Sequence, residues 1–282
     1  MIRHKPLWIT LIAELCIGGL VIGVKLRTKM IDKKKQVALQ STIKKSTPEL
    51  IYAFMHKNYG LDRAEYEERK GVWRGKKLPA EYDIASISSS YICAQTISQK
   101  TQHIFLAVCT NFSKILKEKP ALVDFYILEN NNNELAVRAE SPNNPSGLTH
   151  QQVGEIKILT LGEDFYGFSL TKSYALKGYE RTVTRVFIPN PENTSLIKTL
   201  DIQTIASNKQ AGQCDSGKKD YKAEWCTDIS RVIIPNSSIE NSPHYPITII
   251  QKGVLKGESR NYEYSLNFDE NSGRYKLPNN LA

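Results

Sequence analysis

The sequence predicts a mainly β fold, an antiparallel sandwich or a propeller-like meander, preceded by one or two short helices and an N-terminal single transmembrane helix. Three observations carry this reading. From about residue 82 onward, short alternating or continuously apolar runs recur between turn-forming residues, roughly nine or ten of them. No stretch of that region keeps a helical period. Residues 6–24, "PLWITLIAELCIGGLVIGV", are 19 residues with one charge, enough to span a bilayer at about 1.5 Å per residue. The organisation that follows is an anchor over 1–24, a basic stalk over 25–45, a helical segment over 46–80 and a β-rich body over 81–282.

The anchor reads as uncleaved. The segment after it, "KLRTKMIDKKK", offers no small-residue cleavage pattern, and Leu15 before Cys16 does not suit lipoprotein processing. Trp8 stands near one end, where aromatic rings favour the interface. Glu14 lies mid-span, where an ionisable group is costly and invites a partner helix. Gly19 and Gly23 form a GxxxG pair that permits close helix approach.

The net charge of +9 belongs mostly to this end of the chain. Residues 1–45 carry ten Lys or Arg against Glu14 and Asp32, which leaves a net of +1 for the rest. Composition therefore argues against nucleic acid as a partner and for a basic flank lying against anionic headgroups.

Orientation brings two rules into conflict. The basic C-terminal flank of the span would place the body in the cytosol by the positive-inside tendency. The cysteines point the other way. Apart from Cys16, the chain has Cys93, Cys109, Cys214 and Cys226, an even set whose spacing suits two local bridges, Cys93–Cys109 and Cys214–Cys226. The polar loop "CDSGKKDYKAEWC" would be poorly ordered without one. The balance favours an extracytoplasmic body, periplasmic if the cell is bacterial.

In the stalk, Lys and Gln dominate and chemistry is not expected. "STPELIYAFMHKNYG" then reads as a helix. Ser46 and Glu49 stand at capping-box spacing, Pro48 fits the first turn, and Leu50, Ile51, Phe54 and Met55 form an apolar stripe ending near Gly60. Residues 61–70 read as a second short helix. Among the strands, "HIFLAVC" is continuously apolar and suits cover on both faces. Residues 121–140 read as a hairpin turning at "NNNN", and "GEIKILTLG" with "DFYGFSLTKSY" as a second. "RTVTRVFIP", "ISRVIIP", "YPITIIQKGVL", "RNYEYSLNFDE" and "GRYKLP" continue the series, while "SLIKTLDIQTIA" fits a strand or a short helix.

The tripeptide Asp-Phe-Tyr occurs twice, at Asp124–Phe125–Tyr126 and Asp164–Phe165–Tyr166. The 40-residue interval is near a propeller-blade period, but "TIAS" and "HYPI" occupy the next two intervals and repeat nothing. The pair reads as two hairpins with similar packing, Phe on one face and Tyr on the other.

The chain holds no nucleophile elbow, P-loop, dinucleotide fingerprint or zinc-protease motif. No cofactor, metal or small-molecule ligand is indicated. Asp215, Asp220, Glu224 and Asp228 lack calcium-ligand spacing. Tyr174, Tyr179 and Tyr221, in polar surroundings, are candidate interface residues because exposed tyrosine gives large contact area at low entropy cost. The leading functional expectation is a membrane-anchored protein that binds another protein, as a chaperone, inhibitor or envelope-complex subunit. The alternative is a hydrolase of envelope polymers using Asp124, Asp164 or Glu163.

Overall fold

A computed structural model describes residues 45–60, 73, 88–112, 120–146, 153–239, 242–278 and 281. The anchor with Glu14, Gly19 and Gly23, most of the stalk, and the second helix expected over 61–70 lie outside the described residues. Among the described residues no helix is long and apolar enough to cross a membrane.

Helix α1 (Thr47–Tyr59) starts where Ser46 donates its N–H and its hydroxyl to the Glu49 carboxylate, at 2.7 and 2.8 Å. This is the carboxylate half of the capping box. Further along, α1 buries Leu50, Ile51, Phe54, Met55 and Tyr59, the expected stripe extended by one turn.

The first sheet is a meander of β1 (Ser88–Ile97), β2 (Ile104–Phe112), β3 (Leu122–Asn131) and β4 (Glu134–Pro145), paired antiparallel in that order. Strands β2 and β3 are buried along almost their whole length, as continuously apolar runs require. Their alternate residues serve two cores. Ile104, Leu106, Val108, Tyr126 and Leu128 pack under α1 and Trp73. Phe105, Ala107, Val123, Phe125 and Ile127 face the second sheet and meet Phe168, Leu170 and Phe187. The Cys93–Cys109 disulfide joins β1 to β2 inside this second core, where a bulge in β1 leaves Cys93 unpaired in the ladder.

The second sheet is also antiparallel. It runs β5 (Glu155–Thr160), β6 (Tyr166–Leu176), β7 (Tyr179–Pro189), β8 (Leu196–Ser207), β9 (Thr227–Pro235), β10 (Ile247–Leu255) and β11 (Glu258–Ser259), with β12 (Tyr262–Leu266) also on β10. The segment "SLIKTLDIQTIA" is thus a strand. The short pair β13 (Phe268–Asp269) and β14 (Arg274–Tyr275) closes the chain. Helix, first sheet and second sheet form three layers, and the two sheets pack face to face as in a sandwich; there are no propeller blades among the described residues.

This sheet also parts in its middle. Strand β8 pairs with β7 from Glu180↔Ser207 to Pro189↔Leu196, and β9 with β10 along its length. Strands β8 and β9 share only three pairs, Ile205↔Ser230 to Ser207↔Asp228. Beyond them the two arms separate and close over a third core, in which Val186, Ile188, Leu200 and Ile202 of one arm meet Ile247, Ile249 and Leu266 of the other. Arg231 bridges the parting: Nη1 donates to the Gln203 carbonyl at 2.6 Å and Nε to Gln251 Oε1 at 2.7 Å.

The two Asp-Phe-Tyr segments do not pack alike, which corrects the sequence reading. Asp124 sits mid-strand in β3 and is fully buried beneath α1. Tyr59 donates to its Oδ2 at 2.5 Å, and the Asn143 N–H, placed by the bulged "SPNNP" of β4, donates to Oδ1 at 2.6 Å. Tyr126 joins through the Tyr59 hydroxyl at 2.8 Å. Burial first, and the Asp124 charge second, hold both tyrosines protonated well above the ordinary phenol range. Asp164 instead lies in the β5–β6 turn, where its carboxylate accepts from Ser98; Phe165 packs into the third core and Tyr166 packs at a tilt against Phe105 in the second. A shared tripeptide gives different packing because one copy is within a strand and the other enters one.

Tyr59→Phe removes the hydroxyl that joins α1 to β3 and adds no volume. Chemical denaturation is expected to show a loss of about 1.5–3 kcal/mol, the range for a hydrogen bond to a charged group. An unchanged midpoint would mean that the network does not hold the helix.

Candidate functional site

Three chain turns converge at one end of the second sheet. The β6–β7 hairpin turns through Lys177 and Gly178, both at positive φ (50° and 83°), the two-residue geometry that matches strand twist. Glycine is required at 178 by contact as well: a Cβ there would stand 2.4 Å from the Ala211 nitrogen. Ala211 N–H donates to the Gly178 carbonyl at 3.1 Å, which ties the hairpin to the loop between β8 and β9.

That loop is held at its mouth. Asn208 exchanges backbone and side-chain bonds with Thr227, at 2.9 and 3.0 Å, and donates from Nδ2 to the Trp225 carbonyl at 2.7 Å. The Cys214–Cys226 disulfide closes the same loop with Cα atoms 4.6 Å apart. Residues Ala223–Trp225 form a single 3-10 turn, and Lys222 Nζ stands 4.7 Å from the Trp225 ring centroid, a cation–π distance. The β10–β11 turn completes the cluster, with the Gly257 N–H donating to the Cys226 carbonyl at 3.0 Å.

The result is an end that displays large apolar side chains on a tied frame. Leu176 is 68% exposed, Tyr179 51% and Trp225 46%. Beside them a shallow cleft of about 260 Å³ is lined by Tyr174, Tyr179, Arg181, Gln203, Asn208 and Thr227 among others. Arg181 lies 6.0 Å over the Tyr174 ring. Aromatic rings and a guanidinium on a rigid rim are the residue types that dominate protein interfaces.

Of the tyrosines expected at an interface, Tyr174 and Tyr179 come together in this cleft. Tyr221 does not line it; it lies half-buried in the disulfide loop with its N–H on the Lys218 carbonyl. Sequence reasoning missed Leu176 and Trp225. The available signals were an apolar residue directly before a Lys-Gly turn and a tryptophan in a loop without strand pattern.

The carboxylates named for hydrolysis do not assemble a site. Asp124 is enclosed between α1 and β3 with both oxygens bonded. Asp164 is engaged with Ser98 at a turn, and Glu163 faces Lys100 at 3.6 Å. None of the three lines either described cleft. Among the described residues no group of His, Cys, Asp and Glu is arranged to hold a metal ion.

A Cys214→Ser, Cys226→Ser double variant is expected to lose about 3 kcal/mol of stability by the loop-closure estimate. It should also gain protease cleavage between residues 209 and 225. Cleavage at the wild-type rate would show that Asn208 alone orders the loop.

No protein-family model, curated protein or solved structure matches the chain.

Proposed function

We propose that the chain is a membrane-anchored protein whose β-rich body stands outside the cytoplasm and binds another protein through the end formed by Leu176, Tyr179 and Trp225. One observation carries this reading. Three large apolar side chains, exposed by roughly half or more, are gathered on turns fixed by a disulfide, a glycine contact and an asparagine clamp. Solvated turns do not need that combination. A rigid frame lowers the entropy lost on binding, which is where preorganised interfaces gain affinity.

The compartment is read from two bridged cysteine pairs, since disulfides persist in oxidising environments. Attachment is read from the apolar run 6–24 and its basic flank. The reading covers a membrane-tethered chaperone, an inhibitor or a subunit of an envelope complex.

The reading is tested by placing a photoreactive amino acid at position 176, 179 or 225 of the full chain in its own cell, with position 252 as an exposed control. Discrete protein adducts are expected at the three rim positions and not at the control. Tyr179→Ala is expected to weaken capture of the partner so found by about 10-fold or more, the scale of an interface hot spot. Adducts of equal yield at position 252, or none at the rim, would defeat the proposal.

A further inference from the structure

A second concavity lies on the opposite side of β6 and β7 from the packing with the first sheet. Strands β5 to β9 curl around a groove of about 410 Å³, within the range of small-molecule sites of roughly 300–1,000 Å³. Its floor is made of paired hydroxyls. Thr171 and Thr184 stand 2.9 Å apart, Ser173 and Thr182 2.8 Å, and Thr184 and Thr204 3.3 Å. Thr182, Thr184 and Thr204 are buried. A hydroxyl has three hydrogen-bonding positions; these cross-strand pairs, with the Thr204 hydroxyl also on the Thr182 carbonyl at 3.4 Å, use one or two of them on each residue.

Arg231 stands at the side of this floor, half-buried, where β8 and β9 part. Its Nε and Nη1 are held by neutral oxygens, those of Gln251 and Gln203. Among the described residues Nη2 has no partner and no carboxylate lies within ion-pair distance. The guanidinium is half-buried and bonded only to neutral oxygens, which leaves Nη2 open to an anionic ligand. The other charges of the groove limit what can supply the missing anion. Lys157 is paired with Glu155 at 2.7 Å, and Glu180 stands at the rim. One unpaired cation is therefore available, and the Glu180 carboxylate opposes a polyanion.

We propose that this groove binds a small hydroxylated monocarboxylate of the sugar-acid class, its carboxylate on Arg231 Nη2 and its hydroxyls on the Ser/Thr floor. Apolar Leu159 and Ile233, partly buried in the lining, give the ligand's C–H faces contact. A phosphate or nucleotide brings more negative charge than the groove neutralises. A neutral sugar leaves the guanidinium unanswered.

The full chain in detergent micelles is titrated with sodium D-glucuronate, D-glucose and inorganic phosphate, followed by calorimetry and amide chemical shifts. Glucuronate is expected to bind about 10-fold or more tightly than either of the others. Its shifts should concentrate at residues 169–173, 182–184, 204 and 231 of the wild-type chain, a readout that needs no variant. Arg231→Gln is expected to remove the preference for glucuronate over glucose. Because Arg231 also bridges β8 and β9, Ser173→Ala provides the second variant: it leaves the arginine in place and should weaken glucuronate several-fold. Equal binding of glucose or phosphate, shifts outside the groove, or no response at about 10 mM glucuronate would overturn the proposal.

Discussion

Strands β2 and β3 are apolar on both faces, and the rest of the body is arranged to keep both faces dry. An antiparallel pair with one apolar face needs one cover; this pair needs two. Helix α1 supplies the first through Leu50, Ile51, Phe54 and Met55, and the second sheet supplies the other through Phe168, Leu170 and Phe187. Doubly covered strands leave little room for a polar side chain. Asp124 is the acidic exception, and its surroundings are built to meet it: a tyrosine from the helix and a backbone N–H from a bulge that β4 forms opposite it. An unbonded carboxylate in that position would carry a desolvation penalty with nothing to offset it.

Much of this was legible in the sequence because it rests on local pattern. "HIFLAVC" announced a strand covered twice, "NNNN" a hairpin, and the stripe after Ser46 a helix with one buried face. Cysteine spacing pointed to the two bridges that the structure contains. What escaped was decided by tertiary register. Nothing in "SLIKTLDIQTIA" or "ISRVIIP" indicates that these two strands touch over only three pairs and then separate. The local pattern of "ISRVIIP" does not set Arg231 apart, and its bridging role appears only once β8 and β9 are seen to part. The two Asp-Phe-Tyr segments misled for a related reason: identical residues enter different layers when the strand begins at a different place.

The parting of the second sheet links the two candidate sites. Where β8 and β9 still pair, the sheet ends in tightly tied turns that leave Leu176, Tyr179 and Trp225 in solvent. Where they separate, the arms fold over one another, bury the third core and leave a hydroxyl-floored groove above it. The Leu–Tyr–Trp rim and the Arg231 groove thus follow from one irregularity in an otherwise simple meander. Their residues are chemically distinct: one end is aromatic and apolar, suited to a protein surface, and the groove is polar with a guanidinium bonded only to neutral oxygens.

The central claim, that the doubly covered β2–β3 pair organises the body, is tested most directly by native-state hydrogen exchange of the full chain. The expected result is that amides of Leu106, Val108, Phe125 and Ile127 exchange only through global unfolding, while β9 and β10 open at lower free energy because their arm leans on one core. Exchange at β2 and β3 faster than at β9 and β10 would contradict the account, since the second sheet would then persist without the pair it is said to cover.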